Sequence, residues 1–119
     1  MAERGTPAPD AELRRLRRRI DAVDRRIVAL LDERAELVLE VGRAKRAAGR
    51  RAIRDGERER EVLLRVAVAK RSALPTEELL GIYRRLIAAM RRLEGADRRR
   101  ATAATTGPAD GGDPTRPGR

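Results

Sequence analysis

The sequence predicts an all-α protein, a chain of three helices of which the first is very long. Apolar residues recur at the three- and four-residue spacing of a helix between residues 13 and 41, and again between residues 79 and 93. A shorter stretch with an apolar edge lies between these two, and the connecting segments are short. These observations indicate a small helical bundle.

The first helix is expected to begin near Asp10, a residue suited to the N-cap, and to end near Ala48, just before Gly49. One face of it is apolar and consists of Leu13, Leu16, Ile20, Val23, Ile27, Leu30, Leu31, Leu37, Val38 and Val41. At 1.5 Å per residue the helix would be about 57 Å long, which exceeds the width of so small a domain. Much of the apolar face would be exposed in a monomer, so we expect a homodimer in which two long helices pack together.

The second helix is predicted from Asp55 or Gly56 to about Lys70, and the third begins near Pro75, a residue favoured in a first helical turn. The third helix carries an apolar side formed by Leu79, Ile82, Tyr83, Leu86, Ile87, Met90 and Leu93.

The ends of the chain lack the apolar pattern that marks the helices. Residues 1–9, with two prolines and a glycine, are predicted to be a flexible arm. Residues 95–119 are rich in Gly, Pro, Thr and charge and contain no Val, Leu or Ile, so we predict a disordered tail. The folded domain is therefore expected to span 10–94.

Composition restricts the chemistry available to this chain. It has no Cys and no His, which excludes Cys-His and Ser-His-Asp catalysis and zinc sites built from those ligands. The formal charge is +10, with 29 basic and 19 acidic residues. The basic residues are almost all arginine, as a GC-rich coding sequence would produce, so this charge is a poor indicator of nucleic-acid binding. No apolar run approaches the roughly 18 to 20 residues that span a membrane, and a cytoplasmic protein is expected.

Several charged residues fall on the faces that should be buried. Arg34 lies in the middle of the apolar face of the first helix, and Lys45 follows Val41 by one turn. The other inward or marginal charges are Asp55 and Glu59 in the second helix and Glu94 in the third. Each has an ordinary interpretation as well: an inward arginine often pairs with a carboxylate, an acid in a first helical turn favours the helix dipole, and an aspartate there is a common N-cap.

Taken together, these charges predict a binding site. Burying a charge is costly unless it is paired, and here cations and acids from three helices could converge inside one bundle. A small anion with more than one carboxylate would pair the excess positive charge, and the planar fork of arginine binds carboxylates through two hydrogen bonds. We therefore expect Arg34 to meet a substrate carboxylate.

The segments 16-LRRRIDAVDRRIVALLDERAELVLEVGRAK-45 and 54-RDGEREREVL-63 resemble the all-helical class of chorismate mutases. The resemblance covers about 16–94 and implies an intertwined helical homodimer. It also implies an isomerase of aromatic amino acid biosynthesis, in the shikimate pathway, that converts chorismate to prephenate. This Claisen rearrangement breaks a C–O bond as a C–C bond forms and needs no cofactor or metal.

The resemblance also implies roles for individual residues. Arg34 would grip a substrate carboxylate, Arg17 would reach into the partner chain's site, and Lys45 would bind the ether oxygen and a carboxylate. Arg58 would lie beside the substrate, and Asp55 and Glu59 near its hydroxyl group. The residues expected to be catalytic are Lys45, Glu94 and Arg34.

Two residues depart from the pattern of the family. Glu94 stands where many members have glutamine, and as a glutamate it must be protonated to donate a hydrogen bond to the ether oxygen. Met90 stands where some members have a serine that touches a carboxylate, and a methionine cannot supply that hydrogen bond.

Other functions compete with this interpretation. Relatives with the same fold act on 4-amino-4-deoxychorismate or eliminate pyruvate from isochorismate, and some small members gain activity from a regulatory partner enzyme of the aromatic pathway. A basic helical dimer that binds nucleic acid would account for the run 14-RRLRRR-19, but not for inward-facing Glu59 and Glu94. A structural coiled coil would require an unbroken apolar seam, which Arg34 and Lys45 interrupt.

Overall fold

A computed structural model describes residues 8–50 and 55–105 of the chain. This described part contains three α-helices and no strand, which confirms the predicted fold class. The helices are α1 (Pro9–Ala47), α2 (Gly56–Val68) and α3 (Thr76–Thr105). All their ends but the last lie within two residues of the predicted ones. The predictions made for 1–7 and 106–119 fall outside the described residues.

The prediction that the folded domain ends at residue 94 is wrong, because α3 continues to Thr105. The added segment is rich in Ala and Arg, which have high helix propensity. It is also tied to α1 by Asp97, whose carboxylate lies 3.1 Å from Arg46 and 3.5 Å from Arg43. This segment contains no Val, Leu or Ile, and ion pairs hold it in place of apolar contacts.

The chain divides into two compact units, the first ending at Leu37 and the second beginning at Val38. The described part of the first unit is the long N-terminal stretch of α1. Its apolar side chains are 38% to 61% exposed on one helix face, and they are Leu13, Leu16, Ile20, Val23, Ile27, Leu30, Leu31 and Leu37. An apolar face of this length that remains open to solvent is typical of a surface that binds another protein.

The second unit contains the end of α1 together with α2 and α3, and α2 packs against α3. Its buried apolar side chains among the described residues are Ile87 and Met90, both on α3. The acidic side chain of Glu94 is buried beside them. Tyr83, the one aromatic residue of the sequence, is half-buried on the same helix. The core of this unit is therefore thin, and it includes a carboxyl group.

Arg71 organises the loop between α2 and α3. Its guanidinium donates hydrogen bonds to the backbone oxygens of Ala67, Ala69 and Leu74 at 3.2, 3.0 and 2.8 Å, and to the hydroxyl of Thr76. The last carbonyl groups of a helix have no hydrogen-bond donor within the helix, and at the end of α2 the guanidinium of Arg71 is that donor. A surface depression of about 610 Å³ lies at this loop, but its arginine is already engaged and none of the predicted site residues lines it.

None of the described helices combines the length and the apolar character that crossing a membrane requires.

Candidate active site

The buried carboxyl group of Glu94 lies directly against the backbone of α1 at Gly42. Gly42 is itself buried, and Glu94 is only 8% exposed. A Cβ atom added at Gly42 would lie 3.0 Å from Cγ and 3.1 Å from Oε1 of Glu94. The absence of a side chain at this position therefore makes room for the acid, one helical turn before Lys45.

The positive charge of Lys45, in the last turn of α1, acts on the carboxylate of Asp55 at the start of α2. Asp55 is the N-cap of α2, and its Oδ1 accepts a hydrogen bond from the backbone N–H of Arg58 at 3.0 Å. This bond is the main cause that lowers the pKa of Asp55, and the positive charges of Lys45 and Arg50 lower it further. The half-buried ammonium of Lys45 thus lies within electrostatic range of the carboxylate that begins the next helix.

Glu59 on α2 pairs with Arg91 on α3. The Nε atom of Arg91 lies 3.0 Å from Oε1 of Glu59, and the Glu59 side chain is 19% exposed. The N–H bond of this atom is not aligned for a hydrogen bond, so the contact is an ion pair. Met90, the neighbour of Arg91 in sequence, is buried one turn before Glu94. The second unit therefore contains Lys45, Asp55, Glu59, Met90 and Glu94.

Arg58 belongs to the same unit, but its side chain is occupied elsewhere. Its Nη1 atom lies 3.1 Å from Oε1 of Glu61 on the solvent side of α2. Glu61 also pairs with Arg65 one turn further along the helix. The predicted position of Arg58 beside a substrate would require another rotamer.

Arg17 and Arg34 belong to the first unit. Arg17 is exposed and Arg34 is half-buried. Neither forms a hydrogen bond or an ion pair with any residue in the described ranges. Their roles at a substrate therefore stay predictions.

Asp97 is a further acidic centre of the second unit. Its Oδ2 atom lies 3.1 Å from Nη2 of Arg46, and its Oδ1 atom lies 3.5 Å from Arg43 and 3.8 Å from Arg100. Hydrogen bonds from Arg46 and then Arg43 lower the pKa of Asp97, so it is a carboxylate at neutral pH.

Sequence reasoning missed Gly42, Arg46, Arg91 and Asp97. A glycine within a helical pattern is itself a signal, because it suggests a close approach by another group, and VGRAK contains such a glycine. Arg46 and Asp97 gave no comparable signal, since they are 51 residues apart in the sequence. Asp97 also fell in the segment that was predicted to be disordered.

The arrangement offers an ammonium group and several carboxyl groups held in place by helix ends and interhelical contacts. Such groups bind small polar molecules and donate or accept hydrogen bonds at a charged reaction centre. Among residues 8–50 and 55–105, no group of three His, Cys, Asp or Glu side chains is placed to hold a metal ion.

Residues 16–95, well over half of the chain, match the family model described as chorismate mutase type II. The chain belongs to the type II chorismate mutase family. Both segments quoted for the resemblance lie within this match, and so do all the predicted site residues.

In the curated relatives, the region that matches this chain is part of a longer protein. The chain is 38% identical over 87 residues to a bifunctional chorismate mutase/prephenate dehydratase of Aquifex aeolicus, a match that covers 70% of this chain and 24% of the relative. It is 49% identical over 51 residues to a protein of the same description from Escherichia coli K12, which covers 43% of this chain and 13% of the relative. The chain therefore spans a quarter or less of the length of these relatives.

A solved chorismate mutase has a similar fold. The chorismate mutase of Helicobacter pylori, determined in complex with prephenate, is 29% identical to this chain with a TM-score of 0.69. The match covers 75% of this chain and 96% of that protein. This chain thus shares the helical architecture of the Helicobacter pylori enzyme over nearly the whole length of that enzyme.

Proposed function

We propose that this protein is a chorismate mutase that converts chorismate to prephenate. The observation that carries the proposal is the buried carboxyl group of Glu94, packed against Gly42 one helical turn from Lys45. Burial of a carboxyl group costs free energy unless the group is hydrogen-bonded, so a buried acid is a candidate functional group. Here it would donate a hydrogen bond to a reacting oxygen. The Helicobacter pylori relative, whose complex contains prephenate, supports the choice of substrate.

The chemistry requires position and charge rather than a nucleophile. In the Claisen rearrangement one C–O bond breaks while one C–C bond forms, and electrons move around a six-membered ring without any proton transfer. Negative charge grows on the ether oxygen, so donors aimed at that oxygen stabilise the transition state more than the substrate. Even a modest enzymatic acceleration of about a millionfold corresponds to roughly 8 kcal/mol, which orientation and fixed charge together can supply.

In the proposed site, Lys45 and protonated Glu94 donate hydrogen bonds to the ether oxygen. Arg34 holds one carboxylate of the substrate through its planar fork, and Arg17 from the partner chain holds the other. A dianion bound in this way is held in the compact, chair-like form from which it reacts.

The remaining residues would shape the other end of the site. Asp55 and Glu59 accept or relay hydrogen bonds at the substrate hydroxyl, and Arg58 approaches after leaving Glu61. Met90 contributes an apolar wall and no hydrogen bond, so we expect weaker substrate binding than in relatives with a serine there.

The proposal includes a homodimer. The apolar face of α1 is open along its length in the single chain, and a second copy of the same helix would cover it. The dimer also provides the route by which Arg17 reaches a site that is formed mainly by the other chain.

Ultraviolet detection of chorismate loss by the purified protein, with prephenate identified as the product, tests this function. The Lys45→Ala protein, prepared in parallel, is the control for mutase carried over from the expression host. Isochorismate and 4-amino-4-deoxychorismate are assayed beside chorismate, and turnover of either one alone would reassign the substrate.

Two further measurements test the competing functions. Turnover that rises when another enzyme of the aromatic pathway is added would reveal a regulatory partner. A salt-dependent shift of duplex DNA, with none of the three substrates consumed, would favour a nucleic-acid-binding dimer and overturn the proposal.

A further inference from the structure

Asp97 joins α3 to α1 next to the candidate catalytic residues. It lies one helical turn after Glu94 on α3, and its main partner Arg46 lies one turn after Gly42 on α1. Arg43 of α1 makes a second, longer contact of 3.5 Å with the same carboxylate. The ion-pair cluster formed by Asp97, Arg46 and Arg43 therefore lies about one helical turn beyond the contact between Glu94 and Gly42.

Two members of this cluster, Asp97 and Arg46, are largely shielded from solvent, whereas Arg43 is 59% exposed. The side chain of Asp97 is 14% exposed and that of Arg46 is 24% exposed. Within the described residues, the Nη1 atom of Arg46 is buried and has no hydrogen-bond partner. Removal of Asp97 would leave this partly buried guanidinium without its carboxylate, so its position depends on that ion pair.

No other anchor of comparable burial holds the last part of α3. Beyond Gly95, the described segment contains no buried side chain. A second link to the end of α1 is the hydrogen bond that Arg98 donates to the backbone oxygen of Arg50 at 2.9 Å. Asp97 is therefore the interhelical contact nearest to Glu94 on its C-terminal side.

We infer that Asp97 is a positioning residue for the reaction, which by binding Arg46 fixes the carboxyl group of Glu94 relative to Lys45, an assignment that rests on the proposed mutase activity. Asp97 itself touches neither the substrate nor the reacting atoms. It acts on the distance between two groups that must both reach the ether oxygen. Displacements of about 1 Å in such groups can cost about a hundredfold in rate.

The first test is the kinetics of Asp97→Ala. We expect kcat to fall by about tenfold to a hundredfold. KM should change much less, since no contact with the substrate is removed. Arg46→Ala should produce the same pattern. Asp97→Asn should lie between the wild type and Asp97→Ala, because its amide oxygen can still accept one hydrogen bond from Arg46.

Arg100→Ala is the matched control. Arg100 lies 3.8 Å from the same carboxylate, but both residues belong to α3, so this ion pair does not join two helices. Its removal should leave kcat unchanged. Circular dichroism and thermal unfolding of each variant show whether it is folded at the assay temperature, and Asp97→Asn serves as the test variant if Asp97→Ala is not.

A positioning role is separated from a merely structural one by combining Asp97→Ala with Glu94→Ala. If Asp97 acts by placing Glu94, it should cause little further loss of kcat once the Glu94 side chain is gone. Independent effects would instead multiply. A full additional loss in the double variant would overturn the inference.

The failure of this inference and the failure of the proposed function give different results. A wild-type protein without chorismate turnover would contradict the proposed function. An active wild type together with an Asp97→Ala protein of unchanged kcat would contradict only the role of Asp97.

Discussion

Glu94 packs closely against the backbone of α1 at Gly42, and this contact determines where an acid lies in the core. A Cβ atom at position 42 would be 3.0 Å from Glu94 Cγ, which is tighter than ordinary van der Waals contact. The carboxyl group would have to move by a few tenths of an ångström to make room. The glycine therefore determines how closely the Glu94 side chain can approach α1, although it carries no functional group.

Gly42→Ala should reduce turnover strongly while it changes the free energy of unfolding only modestly. Alanine raises helix propensity by about 1 kcal/mol, while overpacking typically costs about 1 to 3 kcal/mol. The free energy of unfolding should therefore fall by about 2 kcal/mol or less. Turnover should fall by about tenfold or more, because Glu94 is displaced. Urea denaturation and steady-state kinetics measure the two effects.

Gly81→Ala is the control for this change. Gly81 lies within α3, and a Cβ atom there would meet no atom within 4 Å. This substitution should raise the free energy of unfolding by roughly 0.5 to 1 kcal/mol and leave kcat unaltered. Equal kinetics for the two alanine variants would contradict the role assigned to the contact at Gly42.

Lys45→Ala should depress turnover by about a hundredfold to a thousandfold, because it removes a preorganised donor from the developing negative charge. Lys45 is half-buried in the last turn of α1 and is not part of the apolar core. Helicity and oligomeric state should therefore be retained, as judged by circular dichroism and sedimentation. Near-normal activity would remove Lys45 from the mechanism.

Glu94→Gln should change the pH dependence of turnover. Only a protonated carboxyl group can donate a hydrogen bond to the ether oxygen, so wild-type turnover should fall as pH rises. A glutamine amide keeps its N–H groups at every pH, so the fall should flatten. A pH–rate profile that is the same for both proteins would count against this role of Glu94.

The sequence predicted the inward direction of Glu59 and Glu94 correctly, because helical spacing determines which face a residue occupies. Glu94 is buried and Glu59 is half-buried, as expected. The partners of these residues could not be predicted, since Gly42 and Arg91 come from other helices and depend on how those helices pack. The catalytic roles stay predictions.

At the scale of the helices, α3 shows how electrostatic contacts extend an element. Periodicity predicted three helices because it depends only on neighbouring residues in the sequence. It placed the end of α3 too early, since Asp97 is stabilised by α1 residues about 50 positions away. Composition alone could not distinguish this segment from a disordered tail.

The ion pairs of Asp97 predict a pH-dependent stability. Arg46 and then Arg43 lower the pKa of Asp97 in the folded protein below its usual value of about 3.9. Its contribution is therefore complete above about pH 4 and is lost as pH falls through the lower folded value. Asp97→Asn should be less stable than the wild type at neutral pH, and the difference should shrink in acid.

Urea unfolding of the wild type and of Asp97→Asn between about pH 3 and pH 7 measures this difference in stability, with circular dichroism as the readout. Arg43, Arg46 and Arg100 remain cationic throughout this range. The lowered pKa of Asp55 affects both proteins equally and cancels in the difference. A stability difference that is constant with pH would contradict the assigned ion pairs.

For the whole molecule, the exposed apolar face of α1 predicts the homodimer, and neighbouring residues provide a matched test. Ile27 lies on this face and is 47% exposed, whereas Val28 lies about 100° around the helix and is 65% exposed. Ile27→Glu would bury a charge in the dimer interface and should yield monomers by sedimentation equilibrium. Activity should be lost as well, because Arg17 could no longer reach the partner site.

Val28→Glu introduces the same charge beside the proposed interface and should leave an active dimer. A dimeric and active Ile27→Glu protein would contradict the predicted interface. The homodimer stays a prediction, which the length and the apolar pattern of α1 support because a domain of this size cannot cover such a helix alone.

Tyr83 gives the protein an unusual optical property. As the sole aromatic side chain, it makes the polypeptide almost transparent in the near ultraviolet, so a substrate that absorbs there can be followed at high enzyme concentration. All intrinsic fluorescence comes from this one phenol, on the same helix as Glu94. The emission of the unlabelled enzyme therefore reports on α3 alone, and single-turnover experiments can monitor that helix and the chemical step in one cuvette.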